Sequence, residues 1–505
     1  MQPLLGRGRR DGEPERGAVH AARRSPENGA SLPRPLRRLA LLRRSRSYLY
    51  RRTHDPGLGK PAARTPPAVA RGSDPAFRGR GHRNPLLHPR GAWWCVCTAP
   101  FRRGGDRTMN EALGVATPVL LEPAGPDWKA LVAEYGSPLL VLDCDRVRMQ
   151  YRKLTQALPG VRLHYAIKAL PNETMVATLA EEGAAFDIAT SGEIAMLERL
   201  FIDAADTIHT HPIKRDQDIR DALRYGCTTF VADNVDELEK LVPYRHRVAV
   251  LVRASFPNPA ARVDLSRKFG CAIGELPALL AEADARGLHV KGLSFHVGSQ
   301  VDGSHRHVRA IEACLPFLRE RRPGALARMT VLDIGGGFPA NYDGSVEDID
   351  AFCAPIREAL KAVPEHVEVI AEPGRYLAAP AMTCLTTVVG RAKRGNRMWY
   401  YLDDGVYGSF SGQIYDHTHY PLIPLDAQGE PQPSVLAGPT CDSIDVIAED
   451  FQVGEMALGA LIVAPMMGAY TAASASEFNS LPLTRVVALA PPASRDEADN
   501  VLRLA

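Results

Sequence analysis

The residues best suited to chemistry fall directly after short apolar runs. Lys168 closes the string His164-Tyr165-Ala166-Ile167-Lys168. An amine at a strand end inside a barrel mouth is expected to be desolvated, which lowers its pKa and suits it to Schiff-base chemistry. Gly335-Gly336-Gly337 follows Val331 to Ile334 and offers backbone amides with no side chain in the way, as a phosphate requires. No Gly-Lys-Ser/Thr comes after it, so it is not a P-loop. Glu372-Pro373-Gly374-Arg375 follows Val367 to Ile370, placing an acid that can keep a pyridine nitrogen protonated beside a guanidinium that can clamp a phosphate. His296 and Ser299 follow Leu293 to Phe295, bringing an imidazole able to stack on a flat cofactor and a hydroxyl donor to the same face. Taken singly, each has an ordinary explanation: a surface lysine with a packed stem, a tight turn, a structural ion pair, a core histidine. Four such coincidences at successive strand ends are hard to assign to chance.

The elements that must position these groups are apolar runs alternating with amphipathic stretches. Strand-like runs occur at Leu139 to Leu142, Val161 to Ala166, Phe186 to Ile188, Ile208 to Thr210, Phe230 to Ala232, Val248 to Val252, Gly292 to Phe295, Val331 to Ile334 and Val367 to Ile370. Helical patterns such as Asn234 to Leu241 and Gly274 to Gly287 lie between them. Strand and helix alternating about eight times is the signature of a parallel (β/α)8 barrel of the TIM type, whose active site lies at the carboxyl ends of the strands. Beyond Leu377 the pattern turns to strands, Gly and Pro, with Trp399 to Leu402 and Ala460 to Val463 the clearest runs. The fold class expected is therefore α/β, a barrel over 143–377 followed by a separate C-terminal β domain over 378–505, with 109–142 joining that β domain.

Length and composition agree with a globular enzyme. The 505 residues suffice for two or more cores, with 45% hydrophobic and 24% charged residues. No apolar run is long enough to span a bilayer, which argues against a membrane partner. The net charge of +3 conceals an asymmetry: residues 1–108 carry 23 Arg and one Lys against seven acidic groups, and the remainder 37 basic against 51 acidic. An acidic body does not call for nucleic acid, which needs clustered Lys and Arg on the folded part. The nine cysteines are scattered without zinc spacing and read as free thiols of a reducing cytoplasm. The leader, 1–108, is rich in Arg, Pro, Gly and Ala and shows no sustained period, so no folded domain is expected there. An Arg-rich transit peptide, a disordered nucleic-acid-binding arm and upstream sequence translated from a wrongly chosen start all fit it. GC-rich codons and a normal-looking domain start at Met109 favour the last.

The strings Tyr165-Ala166-Ile167-Lys168, Phe295-His296-Val297-Gly298-Ser299, Asp333-Ile334-Gly335-Gly336-Gly337-Phe338-Pro339 and Glu372-Pro373-Gly374-Arg375 resemble those of the ornithine, diaminopimelate and arginine decarboxylases, which have the alanine-racemase-like barrel. The resemblance spans about Leu139 to Asn479. It implies pyridoxal 5'-phosphate carried covalently on Lys168, His296 stacked on its ring and Glu372 paired with its pyridine nitrogen. It also implies Ser299, Gly337, Gly374, Arg375 and Tyr470 around the phosphate, with Asp187, Glu193 and Arg253 in support. The strings Asp404 to Phe410, Tyr415-Asp416-His417, Gly438-Pro439-Thr440-Cys441-Asp442 and Met467 to Thr471 are similar in wording to ornithine decarboxylase. That implies exchange of Lys168 for the substrate amine, loss of the α-carboxylate as CO2, and return of a proton to Cα from Cys441, whose thiol pKa suits the task. In the resemblance Cys441 reaches in from a partner subunit of a head-to-tail homodimer, beside Asp442, with Phe478 and Asn479 in the same pocket.

The inferred distal pocket offers Tyr415, Asp416 and Asp442. Two carboxylates suit the terminal ammonium of ornithine or lysine and repel a second carboxylate. The expected reaction is L-ornithine to putrescine and CO2, with a lysine or dual lysine/ornithine decarboxylase as the alternative, since one methylene is discriminated by only ~1–3 kcal/mol. Diaminopimelate decarboxylase is disfavoured by the pocket, and a non-catalytic regulatory homologue by the presence of Lys168, Glu372, Arg375, Cys441 and Asp442 together. A racemase is disfavoured by the Cys441-Asp442 string.

Overall fold

The computed structural model describes residues 126–258, 265–319 and 329–489, with the backbone of 502–504. The leader, 1–108, lies outside the described residues.

Strand β1 (Leu139–Asp143) precedes the barrel strands β2 (Val161–Ala166), β3 (Ala185–Ile188), β4 (Thr207–His209), β5 (Thr229–Ala232) and β6 (Ala249–Ser255). After the two-residue β7 (Cys271–Ala272) come β8 (His289–His296), β9 (Val331–Asp333) and β10 (Glu368–Ala371). The order β5-β4-β3-β2-β10-β9-β8-β6, closed by β5 pairing with β6, makes an eight-stranded barrel, and every pairing in it is parallel. Ile208, Val231, Leu251, Val331 and Ile370 pack together as a separate buried cluster. They are the inward-facing residues of their strands, so the barrel is a packed core rather than a pore. Each such side chain contributes about 1.5–3 kcal/mol by leaving water.

Local sequence sets the crossovers. Asn234 accepts from the Glu237 N–H at 3.0 Å and starts the helix Val235–Leu241. Thr190 and Glu193 cap each other's backbone at the start of Ser191–Arg199. Gly292 lies where β8 crosses β9 so closely that a Cβ would sit 1.9 Å from the Val331 carbonyl oxygen.

The second sheet holds β1 with β11 (Met382–Arg394), β12 (Arg397–Leu402), β13 (Ile423–Pro424), β14 (Gln428–Ala437), β15 (Val446–Glu455), β16 (Leu461–Ala464), β17 (Arg485–Leu489) and β18 (Leu502–Leu504). β1 pairs antiparallel with β11 and parallel with β17, so the segment before the barrel is a strand of this sheet. All seven cysteines among the described residues are free thiols, six of them buried and Cys441 exposed.

Candidate active site

Lys168 lies in a single 3-10 turn, Ile167–Ala169, directly after β2. The Ala166 N–H donates to the Pro373 carbonyl at 3.2 Å, fastening this turn to the segment after β10. Lys168 Nζ donates to Asp187 Oδ2 at 2.6 Å, and the Thr210 hydroxyl donates to the other oxygen of Asp187. The lysine side chain keeps 42% of its surface open to the barrel mouth, whereas the Asp187 side chain is fully enclosed. The expected lowering of the lysine pKa is reversed. Burial does oppose the charge, but the hydrogen-bonded carboxylate of Asp187 outweighs it and holds the ammonium above its ordinary value. Desolvation discharges an amine only where no anion accompanies it. Glu193 accepts from the N–H groups of Ala189 (2.5 Å) and Thr190 (3.2 Å), which fixes the chain just after Asp187, and burial raises its pKa.

After β9, two strands from β2 in the barrel order, Gly335, Gly336 and Gly337 form a turn with no room for side chains. A Cβ would lie 2.1 Å from the Phe295 carbonyl oxygen at Gly335, 2.7 Å from that of Glu372 at Gly336, and 2.7 Å from that of Gly298 at Gly337, where φ is +103°. Arg375, only 4% exposed, begins the helix Arg375–Ala378. Its Nε and Nη2 donate to Ser299 Oγ at 3.2 and 3.0 Å, its Nη1 to the Tyr342 hydroxyl at 3.1 Å, and its guanidinium lies 5.0 Å from the Tyr470 ring centroid. Gly374 allows the chain to pass Ala169 so closely that a Cβ would be 3.0 Å from the alanine methyl. Arg375 also carries an ion pair with Asp416. Asp416, expected in the distal pocket, here accompanies the buried guanidinium, with the Thr418 hydroxyl donating to its carboxylate at 3.1 Å.

The groups expected to meet a ring come from β6, β8 and the end of β10. His296 Nδ1 accepts from the Gly298 N–H at 3.1 Å, which puts the ring hydrogen on Nε2. Burial, then Arg253 and Lys168, push the imidazole well below its ordinary pKa, so it is neutral. Arg253, on β6 in register with Ser294 of β8, lies 5.5 Å from the Phe269 ring centroid. Glu372 is buried at the end of β10, and burial, followed by the charges of Asp333 and Asp187, raises its pKa well above the carboxylate range.

The remaining site residues form a second group on the β domain. Cys441 is exposed, and its Sγ and N–H approach Asn479 Oδ1 at 3.4 and 3.2 Å. Asp442 accepts from the Tyr407 hydroxyl at 2.5 Å and from the Ile444 N–H at 3.2 Å; these bonds lower its pKa and keep it ionised. Phe478 stacks on Tyr407 at 4.2 Å between centroids, and Tyr415 is 67% exposed.

Sequence reasoning gave no role to Thr210, Asp333, Tyr342, Tyr407 or His307. His307 Nε2 lies 3.0 Å from the Gly336 carbonyl and backs the glycine turn. Thr210 and Asp333 stand at strand ends and were open to the rule that found Lys168. Tyr342 and His307 lie in a loop and a helix, where that rule is silent.

An amine for an aldehyde, a glycine turn with an arginine for a phosphate, and a buried acid for a ring nitrogen fit pyridoxal phosphate; the glycine cradle is the feature a side chain would fill. Fold and site define a pyridoxal-phosphate enzyme built on a (β/α)8 barrel. Residues 144–379 match the family described as pyridoxal-dependent decarboxylase, pyridoxal binding domain. The lysine/ornithine decarboxylase of Selenomonas ruminantium is 35% identical over 360 residues, 71% of this chain and 91% of that one. Solved structures of the lysine/ornithine decarboxylase of Vibrio vulnificus, one complexed with cadaverine and one with putrescine, are 49% identical, cover 72% of this chain and 95% and 96% of theirs, and superpose with TM-scores of 0.69 and 0.68. The chain belongs to the pyridoxal-dependent decarboxylase family.

Proposed function

We propose that this protein decarboxylates a basic L-amino acid, most readily L-ornithine to putrescine and CO2, with L-lysine to cadaverine as its second reaction, and that it works in the cytoplasm as a homodimer with shared sites. Bound cofactor supplies the electron sink into which the substrate's carboxylate bond breaks. Lys168 holds the cofactor and, once exchanged for the substrate amine, is held as an ammonium by Asp187. Arg375, Ser299 and the glycine turn fix the phosphate, His296 presents a neutral ring face, and Glu372 meets the ring nitrogen. The single observation that carries the substrate reading is the exposed Cys441 beside the half-buried Asp442: a thiol able to deliver a proton to Cα next to a carboxylate kept ionised for a distal ammonium. Its place between two strands of the β domain, rather than at a barrel strand end, supports delivery from a second subunit. Such a pocket repels a second carboxylate, which disfavours diaminopimelate. Among the described residues no helix is long and apolar enough to cross a membrane and no His, Cys, Asp and Glu cluster could hold a metal.

The test is product analysis of the purified protein loaded with pyridoxal phosphate and given L-ornithine, L-lysine, L-arginine and meso-diaminopimelate in parallel, with Lys168→Ala as control. Putrescine as the faster product, with cadaverine second, is expected. Agmatine or lysine as the main product, or no CO2 from any of the four, overturns the reading.

A further inference from the structure

Glu372 does not stand alone. Asp333, the last residue of β9, is buried beside it: β9 and β10 are hydrogen-bonded neighbours, the Glu372 N–H donates to the Gly335 carbonyl at 2.8 Å, and the Asp333 charge raises the Glu372 pKa. Two adjacent buried carboxyl groups do not both ionise, so one of them holds a proton. The donors around the pair decide where that proton sits. Asp333 Oδ1 accepts from the Gly335 N–H at 2.9 Å and Oδ2 from the Ser294 hydroxyl at 3.0 Å. Both bonds favour the anion on Asp333 and leave the proton on Glu372. The charged and titratable groups facing the pair are Asp187 from β3, which raises the pKa of both acids, and Lys168 after β2, which lowers that of Glu372. Arg253 stands on β6 in register with Ser294, and the neutral His296 ring abuts Gly336.

We infer that Asp333 is a positioning residue that acts through Glu372, loading it with a transferable proton and keeping it strongly basic toward the cofactor's ring nitrogen. The inference rests on the reading of Glu372 as the partner of that nitrogen. The proton balance is simple. The O–H bond of Glu372 breaks as an N–H bond forms on the ring nitrogen's lone pair, and the net charge of the site is unchanged. Glu372 is then a carboxylate buried beside the Asp333 carboxylate, with no proton on either. That repulsion makes Glu372 a stronger acceptor for the ring N–H, so the ring nitrogen stays protonated to higher pH and remains an effective sink. A merely structural Asp333, holding the Gly335 turn, needs only an acceptor oxygen, which asparagine supplies.

The experiment uses the full chain reconstituted with pyridoxal phosphate labelled with 15N in the ring, and follows the ring-nitrogen chemical shift over about pH 5 to 10. Asp333→Asn is expected to bind cofactor at full stoichiometry, to lose the ring proton at least about one pH unit lower, a tenfold change in proton affinity, and to lower kcat by about tenfold or more with a smaller change in KM. Ser294→Ala removes a bond that stabilises the Asp333 anion and is expected to move the titration in the same direction by less. An Asp333→Asn protein that folds, binds cofactor and titrates like the wild type overturns the inference. Should Asp333→Asn fail to fold, an unshifted Ser294→Ala overturns it. Glu372→Gln separates the two levels. If it too leaves the ring nitrogen unchanged, Glu372 is not the partner and the underlying reading falls; if it shifts the titration while Asp333→Asn does not, only the role of Asp333 falls.

Discussion

The Asp416 carboxylate is ion-paired with the Arg375 guanidinium inside the protein, where the two side chains are 8% and 3% exposed. Removing one partner of a buried pair leaves the other charge uncompensated and costs about 3–5 kcal/mol. A bound phosphate supplies a replacement anion for Arg375. Asp416→Asn is therefore expected to destabilise the cofactor-free protein by several times more than the cofactor-loaded one, so that adding pyridoxal phosphate raises the midpoint of denaturation further in the variant than in the wild type. Denaturation curves with and without cofactor check this; equal losses in both forms would show that the phosphate does not take over the arginine.

How much of this was legible in the sequence follows from what each reading depended on. The barrel was legible because each parallel strand is buried on both faces and reads as an apolar run, and strand ends carry the chemistry; Lys168, Asp187, His296 and Glu372 follow from that one rule. The charge of Lys168 was not legible, because it depends on Asp187, nineteen residues away in sequence and 2.6 Å away in space. The pairing of Asp416 with Arg375 was not legible for the same reason: a string similar to a known one names a residue but not its counter-ion. The Asp333–Glu372 pair stayed hidden because neighbouring strands β9 and β10 bring together acids that the sequence separates by a whole crossover helix.

Gly337 is the glycine whose replacement reports most directly on the phosphate cradle. Its φ of +103° is unfavourable for any L side chain, and a Cβ would press to 2.7 Å on the Gly298 carbonyl oxygen. Gly337→Ala is expected to weaken cofactor binding by about tenfold or more, the equivalent of ~1.4 kcal/mol or above. Titration of the cofactor-free protein with pyridoxal phosphate, followed by fluorescence, measures it. Unchanged affinity would remove this turn from the phosphate site.

His209 gives a stability effect with a defined pH dependence. It is fully buried and stacked on Phe230 at 5.6 Å, and neither ring nitrogen finds a hydrogen-bond partner among the described residues. Burial pushes its pKa down to about 3. The folded state therefore keeps this ring neutral while the unfolded chain takes up a proton near pH 6.5, so its effect is absent above that pH and stability is lost as the pH falls below it, until the folded value is reached. Between pH 6.5 and 5 the loss from this one group is about 2 kcal/mol. His209→Phe keeps the ring and removes the titration, and is expected to flatten the acid limb of the stability profile by that amount. Urea midpoints at pH 7 and pH 5 decide it; an acid limb as steep as the wild type's would mean that His209 is not held neutral.

The division of the site into two groups has a consequence that mixing subunits can expose. Lys168, Glu372 and Arg375 follow barrel strands, while the exposed Cys441 and the half-buried Asp442 stand on the β domain. If each active site takes the first set from one subunit and the second from its partner, Lys168→Ala and Cys441→Ala proteins, each inactive alone, complement one another. In a mixed dimer one site inherits both lesions and the other inherits neither. Random exchange makes about half of the dimers mixed, and half of their sites are intact, so an equal mixture is expected to recover about 25% of wild-type activity. Decarboxylase activity against mixing ratio, after dissociation and reassociation, is the measurement. Recovery near that level requires shared sites, whereas a mixture as inactive as its components would place Cys441 and Lys168 in the same subunit's site and overturn the proposed delivery of the proton across an interface.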